Sequence, residues 1–270
     1  MAQPEFAFRN TVKLLQEWTA QAPRLMGYDE TGARDHFAAW QRRARRKLRE
    51  LLGFMPAKIA KPRAWLLGSE AATGFARETW AVESPFGDHL FVYRLVPEGM
   101  TRPEAIMLAL HGHGLYGADA VAGVMKGRFH EAETLRGANY DYGAQFAQRG
   151  YLVYAPTQRG FAQRCDLDNP GSVPDYPPDR APAAPGCSCL DINARAILLG
   201  TSDIGLRVQD AMHLISWIKS RPGEGRAPLG CVGLSGGGHT TELLAAVDAR
   251  LEAVSIQGYF NYWTDQIVAV

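Results

Sequence analysis

Gly233-Leu234-Ser235-Gly236-Gly237 follows the apolar pair Cys231-Val232 and leads, from Gly238 onward, into a stretch that reads as a helix. A strand that runs through a tight turn into a helix holds the turn serine in a strained backbone conformation and exposes its hydroxyl. Glycine is needed at Gly233 and Gly237, where a Cβ would collide with the turn. Gly236 opens the helix, so its backbone N–H and the helix dipole face any negative oxygen that develops beside Ser235. Ser235 is therefore the candidate nucleophile and Gly236 one candidate oxyanion donor.

The second donor should come from the loop after an earlier central strand. Residues 105–110 are a short apolar run, followed by His111-Gly112-His113-Gly114. The His113 amide is the expected donor, with Gly114 next; one such donor is worth about 2.7–4 kcal/mol of transition-state stabilisation. His111 is read as structural, bonding backbone to hold the loop in shape.

The rest of the chain fits a sheet with helices around it. Residues 10–20 and 35–53 read as helices, the second with Trp40, Ala44, Leu48, Leu51 and Leu52 on one face. Residues 76–84 and 90–96 alternate with period two around Gly87-Asp88, the pattern of a hairpin. A helix at 141–149 precedes a buried-type strand at 151–156. Residues 161–190 hold six prolines and read as a long irregular loop over the site. Periodicity returns at Ile204, Val208, Ala211, Met212, Ile215 and Ile218. A strand at 229–234, a helix at 237–249 and a strand at 251–260 complete the pattern. Strands alternating with helices after an opening hairpin predict an α/β fold with a mostly parallel sheet covered on both faces. The expected division is an N-terminal helical segment, 1–60, and a catalytic domain, 61–270.

Composition excludes several classes. The 270 residues carry 29 basic and 28 acidic side chains, with 46% hydrophobic residues and four cysteines. A near-neutral chain has no global field to attract nucleic acid or anionic membrane. The arginines at 42, 43, 45, 46 and 49 are accordingly read as a solvated helix face. No apolar run is long enough to span a bilayer, and the first residues lack a basic and apolar leader, so a cytoplasmic address is expected. Cys165, Cys187, Cys189 and Cys231 are read as reduced thiols; a zinc site from Cys187, Cys189 and Cys165 lacks the paired C-x-x-C spacing, so no metal is expected.

The segment Leu190-Asp191-Ile192-Asn193 through Gly205-Leu206-Arg207-Val208-Gln209-Asp210-Ala211, the Ser220-Arg221-Pro222 step, the run from Cys231 to Gly238 and the His-Gly-His-Gly loop resemble the acetyl xylan esterase and dienelactone hydrolase type of α/β-hydrolase. The likeness covers about residues 35–262. It implies a hydrolase of small carboxylic esters that forms an acyl-enzyme on Ser235, with His113 and Gly236 as oxyanion donors and no cofactor. The implied partner is a small-molecule ester.

In that fold the triad runs Ser, then Asp or Glu, then His. After Ser235 the only histidine is His239, and the acids are Glu242, Asp248, Glu252 and Asp265. The family's last strands, which carry its acid and histidine, are expected to be missing, as in a fragment of an esterase. Two other readings stand: His239 as base with Asp265 as acid, or a hydrolase-derived binding module without turnover. Residues 251–260 would then form an outer strand unguarded by Lys or Pro, open to homo-oligomer formation.

Overall fold

The computed structural model describes residues 11–23, 25–28, 36–114, 116–124, 139–165 and 187–261. The chain divides into two compact units, Met1–Arg45 with Phe260–Val270, and Arg46–Tyr259. Most of the expected 161–190 loop and Asp265 lie outside the described residues.

The first unit contains helix α1 (Thr11–Gln21), which buries none of its residues, and the start of α2 (Phe37–Leu51). Tyr28, Phe37 and Trp40 form a ring cluster with centroids 5.0–5.6 Å apart, and the Trp40 indole N–H donates to the Met26 carbonyl at 3.0 Å. Arg42, Arg43 and Arg46 face solvent.

The second unit is built on a seven-stranded sheet in the order β1-β2-β3-β5-β4-β6-β7. The strands are β1 (Ala64–Ala72), β2 (Phe75–Glu83), β3 (His89–Pro97), β4 (Ile106–Leu110), β5 (Leu152–Pro156), β6 (Leu229–Leu234) and β7 (Ala253–Gln257). The first three pair antiparallel, and β3 pairs antiparallel with β5. The β5-β4-β6-β7 half is parallel throughout. The β2–β3 hairpin turns at Gly87, whose φ of 98° is open to glycine at little steric cost.

β1 is a strand that the sequence pattern did not announce. Trp65, Leu66 and Leu67 are consecutive and all exposed, and a register shift between Leu66 and Gly68 breaks the two-residue period. The central strands behave as expected for parallel strands covered on both sides, with every residue of β5 buried.

Two apolar layers sandwich the sheet. On one face Val208, Leu214, Ile215 and Ile218 of α6 (Asp203–Ser220) and Leu243, Leu244 and Val247 of α7 (Gly236–Val247) pack on Leu90, Leu108, Tyr154 and Leu229. On the other, Ala118 and Val121 of α3 (Ala118–Val121) and Ala144 and Ala147 of α4 (Tyr142–Gln148) pack on Leu95, Ala109, Val153 and Val232. The Ser202 hydroxyl caps α6 by accepting from the Gly205 N–H at 3.1 Å. A further helix, α5 (Cys189–Ile197), begins at the end of the stretch read as loop, with Cys189, Ile192 and Ala196 buried at helical spacing. β7 ends the sheet order, with Val254 44% exposed.

Candidate active site

The site is assembled by register. Leu110 of β4 lies opposite Gly233 of β6, and Leu234 lies opposite Gln257 of β7. The loop leaving β4 and the turn leaving β6 therefore emerge side by side at the same end of the sheet, the end where open α/β sheets gather their ligands.

Ser235 occupies the β6–α7 turn with φ 53° and ψ −118°, one of three non-glycine residues with positive φ among the described residues, and it is exposed. Such a conformation costs on the order of 1–3 kcal/mol and persists only where the surroundings fix it. Here its N–H donates to the Gln257 carbonyl at 2.8 Å, while its carbonyl accepts from the His239 N–H at 3.0 Å. The flanking positions leave no room for a side chain. A Cβ on Gly233 would land on the Gly237 carbonyl, and a Cβ on Gly237 would land on the Leu110 carbonyl. Gly112 is equally constrained, since a Cβ there would stand 2.7 Å from both the Leu234 carbonyl and the Tyr140 hydroxyl and 3.3 Å from Ser235 Cβ.

Gly236 is the first residue of α7, where an N–H has no intrahelical acceptor. Its Cβ position would lie 3.5 Å from the His113 backbone nitrogen and 2.5 Å from His113 Nδ1. The His113 and Gly236 positions predicted to hold an oxyanion are thus neighbours, although they are 123 positions apart in the chain. The ring of His113 rests edge-on against Phe161 at 5.1 Å, and desolvation with the nearby Arg207 charge holds its pKa below the usual value.

His111 holds the loop, as the sequence suggested. It is buried, its Nε2 accepts from the Gln158 N–H at 2.8 Å, and its Nδ1 is 2.8 Å from the Gly112 carbonyl. The Gln158 side chain donates back to the His111 carbonyl at 2.5 Å and accepts from the Thr240 hydroxyl at 2.6 Å. Burial pushes the His111 pKa down to about 4, so the ring is neutral, with its proton on Nδ1.

Sequence reasoning missed the groups that shape the other side of the site. Arg207 stacks on the Phe161 ring at 4.7 Å, pairs with Asp203 at 2.6 Å and donates to Cys189 Sγ at 2.7 Å. Arg159 and Arg164 both bridge Asp210 and Asp88. Tyr140 and Tyr142 were also passed over; the Tyr142 hydroxyl donates to the Leu110 carbonyl at 2.5 Å. The family-like run through Gly205-Leu206-Arg207 was the available signal, and it pointed at Arg207 without giving it a role.

The two described ends of the proline-rich stretch lie here as well. Phe161 forms an antiparallel bridge with Cys187, and Cys187 and Cys189 share a hydrogen bond that lowers the Cys187 pKa to about 6 and raises that of Cys189. The sulfurs stand beside the His113 ring.

His239 projects from α7 and stacks on Tyr259 with ring centroids 4.2 Å apart and an interplanar angle of 15°. Burial, with Arg207 and His113 nearby, brings its pKa down to about 4. Among the described residues no histidine ring is hydrogen-bonded to the Ser235 hydroxyl. Asp265, the acid considered with it, lies outside the described residues.

A serine on the turn between a central strand and its helix, on this sheet order, defines the α/β-hydrolase fold. Solved structures bear this out. A protein from Bacteroides fragilis NCTC 9343 assigned as an acetyl xylan esterase has a TM-score of 0.69 to this chain at 16% identity, covering 92% of this chain and 60% of its own. The glucuronoyl esterase from Solibacter usitatus gives 0.50 at 15% identity, over 80% of this chain and 58% of its own. A methylesterase gives 0.54 at 15% identity, over 88% and 45%. The chain therefore spans three fifths or less of the length of these solved structures. No family model and no curated protein matches the sequence. Among the described residues no helix is long and apolar enough to cross a membrane.

Proposed function

We propose that the chain is a serine-dependent hydrolase of small carboxylic esters that forms an acyl-enzyme on Ser235. The observation that carries this reading is the exposed Ser235 on a positive-φ turn, packed against the loop that bears His113. The esterases of the same fold add weight to it. In the reaction Ser235 Oγ attacks the ester carbonyl carbon and gives its proton to a general base. The carbonyl electrons move onto oxygen, where the His113 and Gly236 amides hold the charge. Collapse expels the alcohol, which takes up the proton, and water then releases the acid from the serine. The four free thiols suit a reducing, cytoplasmic setting.

One observation favours a second reading, a binding module on the hydrolase fold: among the described residues no histidine bonds the Ser235 hydroxyl. Labelling by a fluorophosphonate separates the two. Stoichiometric label on the wild-type chain that disappears in Ser235→Ala supports the hydrolase, and an unlabelled, folded wild type supports the binding module. If the acyl pocket is small, an acetyl ester should turn over faster than its longer-chain homologues.

A further inference from the structure

We propose that His113, Cys187 and Cys189 form a binding site for a thiophilic divalent cation such as zinc. Each residue offers one ligand atom, and the three atoms all lie within 4.8 Å of one another, the one such group of His, Cys, Asp or Glu donors among the described residues. Zinc bonds of about 2.3 Å to sulfur and about 2.0 Å to nitrogen put tetrahedral ligands roughly 3.5–3.8 Å apart. The closure required is about an ångström, and the exposed His113 side chain can supply it by rotation about χ1 and χ2.

The donors are held from behind, as metal ligands need to be. Cys187 is pinned by its bridge to Phe161, and the Ser188 N–H donates to the Gly160 carbonyl at 2.8 Å. Cys189 accepts from Arg207, whose guanidinium is fixed by Asp203 and by the Arg159 carbonyl at 3.0 Å. That hydrogen bond gives one sulfur a charged outer partner. Two thiolates and the Asp203 carboxylate face one divalent ion and Arg207, so the local charge balances. Two sulfurs and an imidazole select zinc or cadmium over magnesium and calcium, which prefer oxygen. Three protein ligands leave a fourth position open to water.

The sequence hid this set because His113 lies 74 positions before Cys187, and only the fold joins them. The test uses the full chain, reduced and stripped of metal, titrated with cadmium and followed by its ultraviolet thiolate-to-metal band, and with zinc by calorimetry. One equivalent should bind with micromolar or tighter affinity. Cys187→Ser should weaken the cadmium band and cut affinity at least tenfold. His113→Gln should keep the sulfur band and also cut affinity at least tenfold, with both variants unfolding at the wild-type temperature. A wild type without a stoichiometric band, or unchanged affinity in either variant, overturns the site. All of these readouts hold equally in a Ser235→Ala background, so they fail or succeed apart from the serine chemistry.

Discussion

Two regions converge on the His111–His113 loop and fix it by different means. On the α7 side the tightest contact is backbone against backbone: a Cβ on Gly237 would run into the carbonyls of Leu110 and His111. On the α6 side the contact is made by charged side chains. Arg159 and Arg164 are clamped between Asp210 and Asp88, and the 158–164 segment they hold delivers Gln158 to His111 and Phe161 to both histidine rings. A close-packed turn has one geometry because nothing else fits. An ionic clamp has one only while every charge keeps its partner.

Asp210→Asn should produce the largest change. The Asp210 carboxylate is 7% exposed and takes hydrogen bonds from both arginines, of which Arg164 is 6% exposed. Removing one member of a buried ionic set costs about 3–5 kcal/mol, because the remaining charges are left desolvated. Urea unfolding measures it, and a loss under about 1 kcal/mol would mean that the clamp is solvated and does not hold the loop.

Acid should open the junction next. The folded His111 pKa is about 4, against an ordinary value near 6.5, because burial disfavours the imidazolium. The unfolded chain therefore takes up this proton first. The stabilisation is complete above about pH 6.5, falls between pH 6.5 and pH 4, and amounts to something on the order of 3 kcal/mol. His239, also near 4, adds a similar slope. Unfolding free energies of wild type and His111→Gln across that range should converge toward low pH; parallel curves would show that His111 is not held neutral.

Gly237→Ala tests the backbone side. Overpacking costs about 1–3 kcal/mol, and here the opposing atoms are main-chain carbonyls with little room to retreat, so the upper end is expected. Fluorophosphonate labelling of Ser235 should fall with it. Gly68→Ala, with nothing within 4 Å of its Cβ position, should change stability by less than about 0.5 kcal/mol.

The same division governs what could be seen in the amino-acid order. The turn at 233–237 and the loop at 111–114 are local: each needs only a strand, a few glycines and a helix start, and the order of residues displays all three. The hairpin and the buried strands were legible for the same reason. β1 was not, since its apolar residues face outward and a register shift spoils its period. α5 was obscured by the prolines before it. The ion pairs of the arginine clamp and the approach of His113 to Cys187 and Cys189 join residues 46 to 76 positions apart, and no local pattern records such a pairing.

Within the clamp, the smaller effect should come from its other end. Asp88 touches the same two arginines as Asp210, yet its carboxylate is 44% exposed on the β2–β3 turn, where water can replace it. Its pKa is nevertheless held low, with Arg164 and Arg159 favouring the charged form over the opposing desolvation, so it is ionised at neutral pH and the pairing is present to be lost. An exposed ion pair is worth about 0–1 kcal/mol, so Asp88→Asn should cost under about 1 kcal/mol, with salt reducing the difference further. Measured beside Asp210→Asn, it separates burial from pairing. If the two substitutions cost the same, the clamp acts through charge alone and depth is irrelevant; if Asp88→Asn is near neutral, burial of Asp210 holds the segment that positions His111.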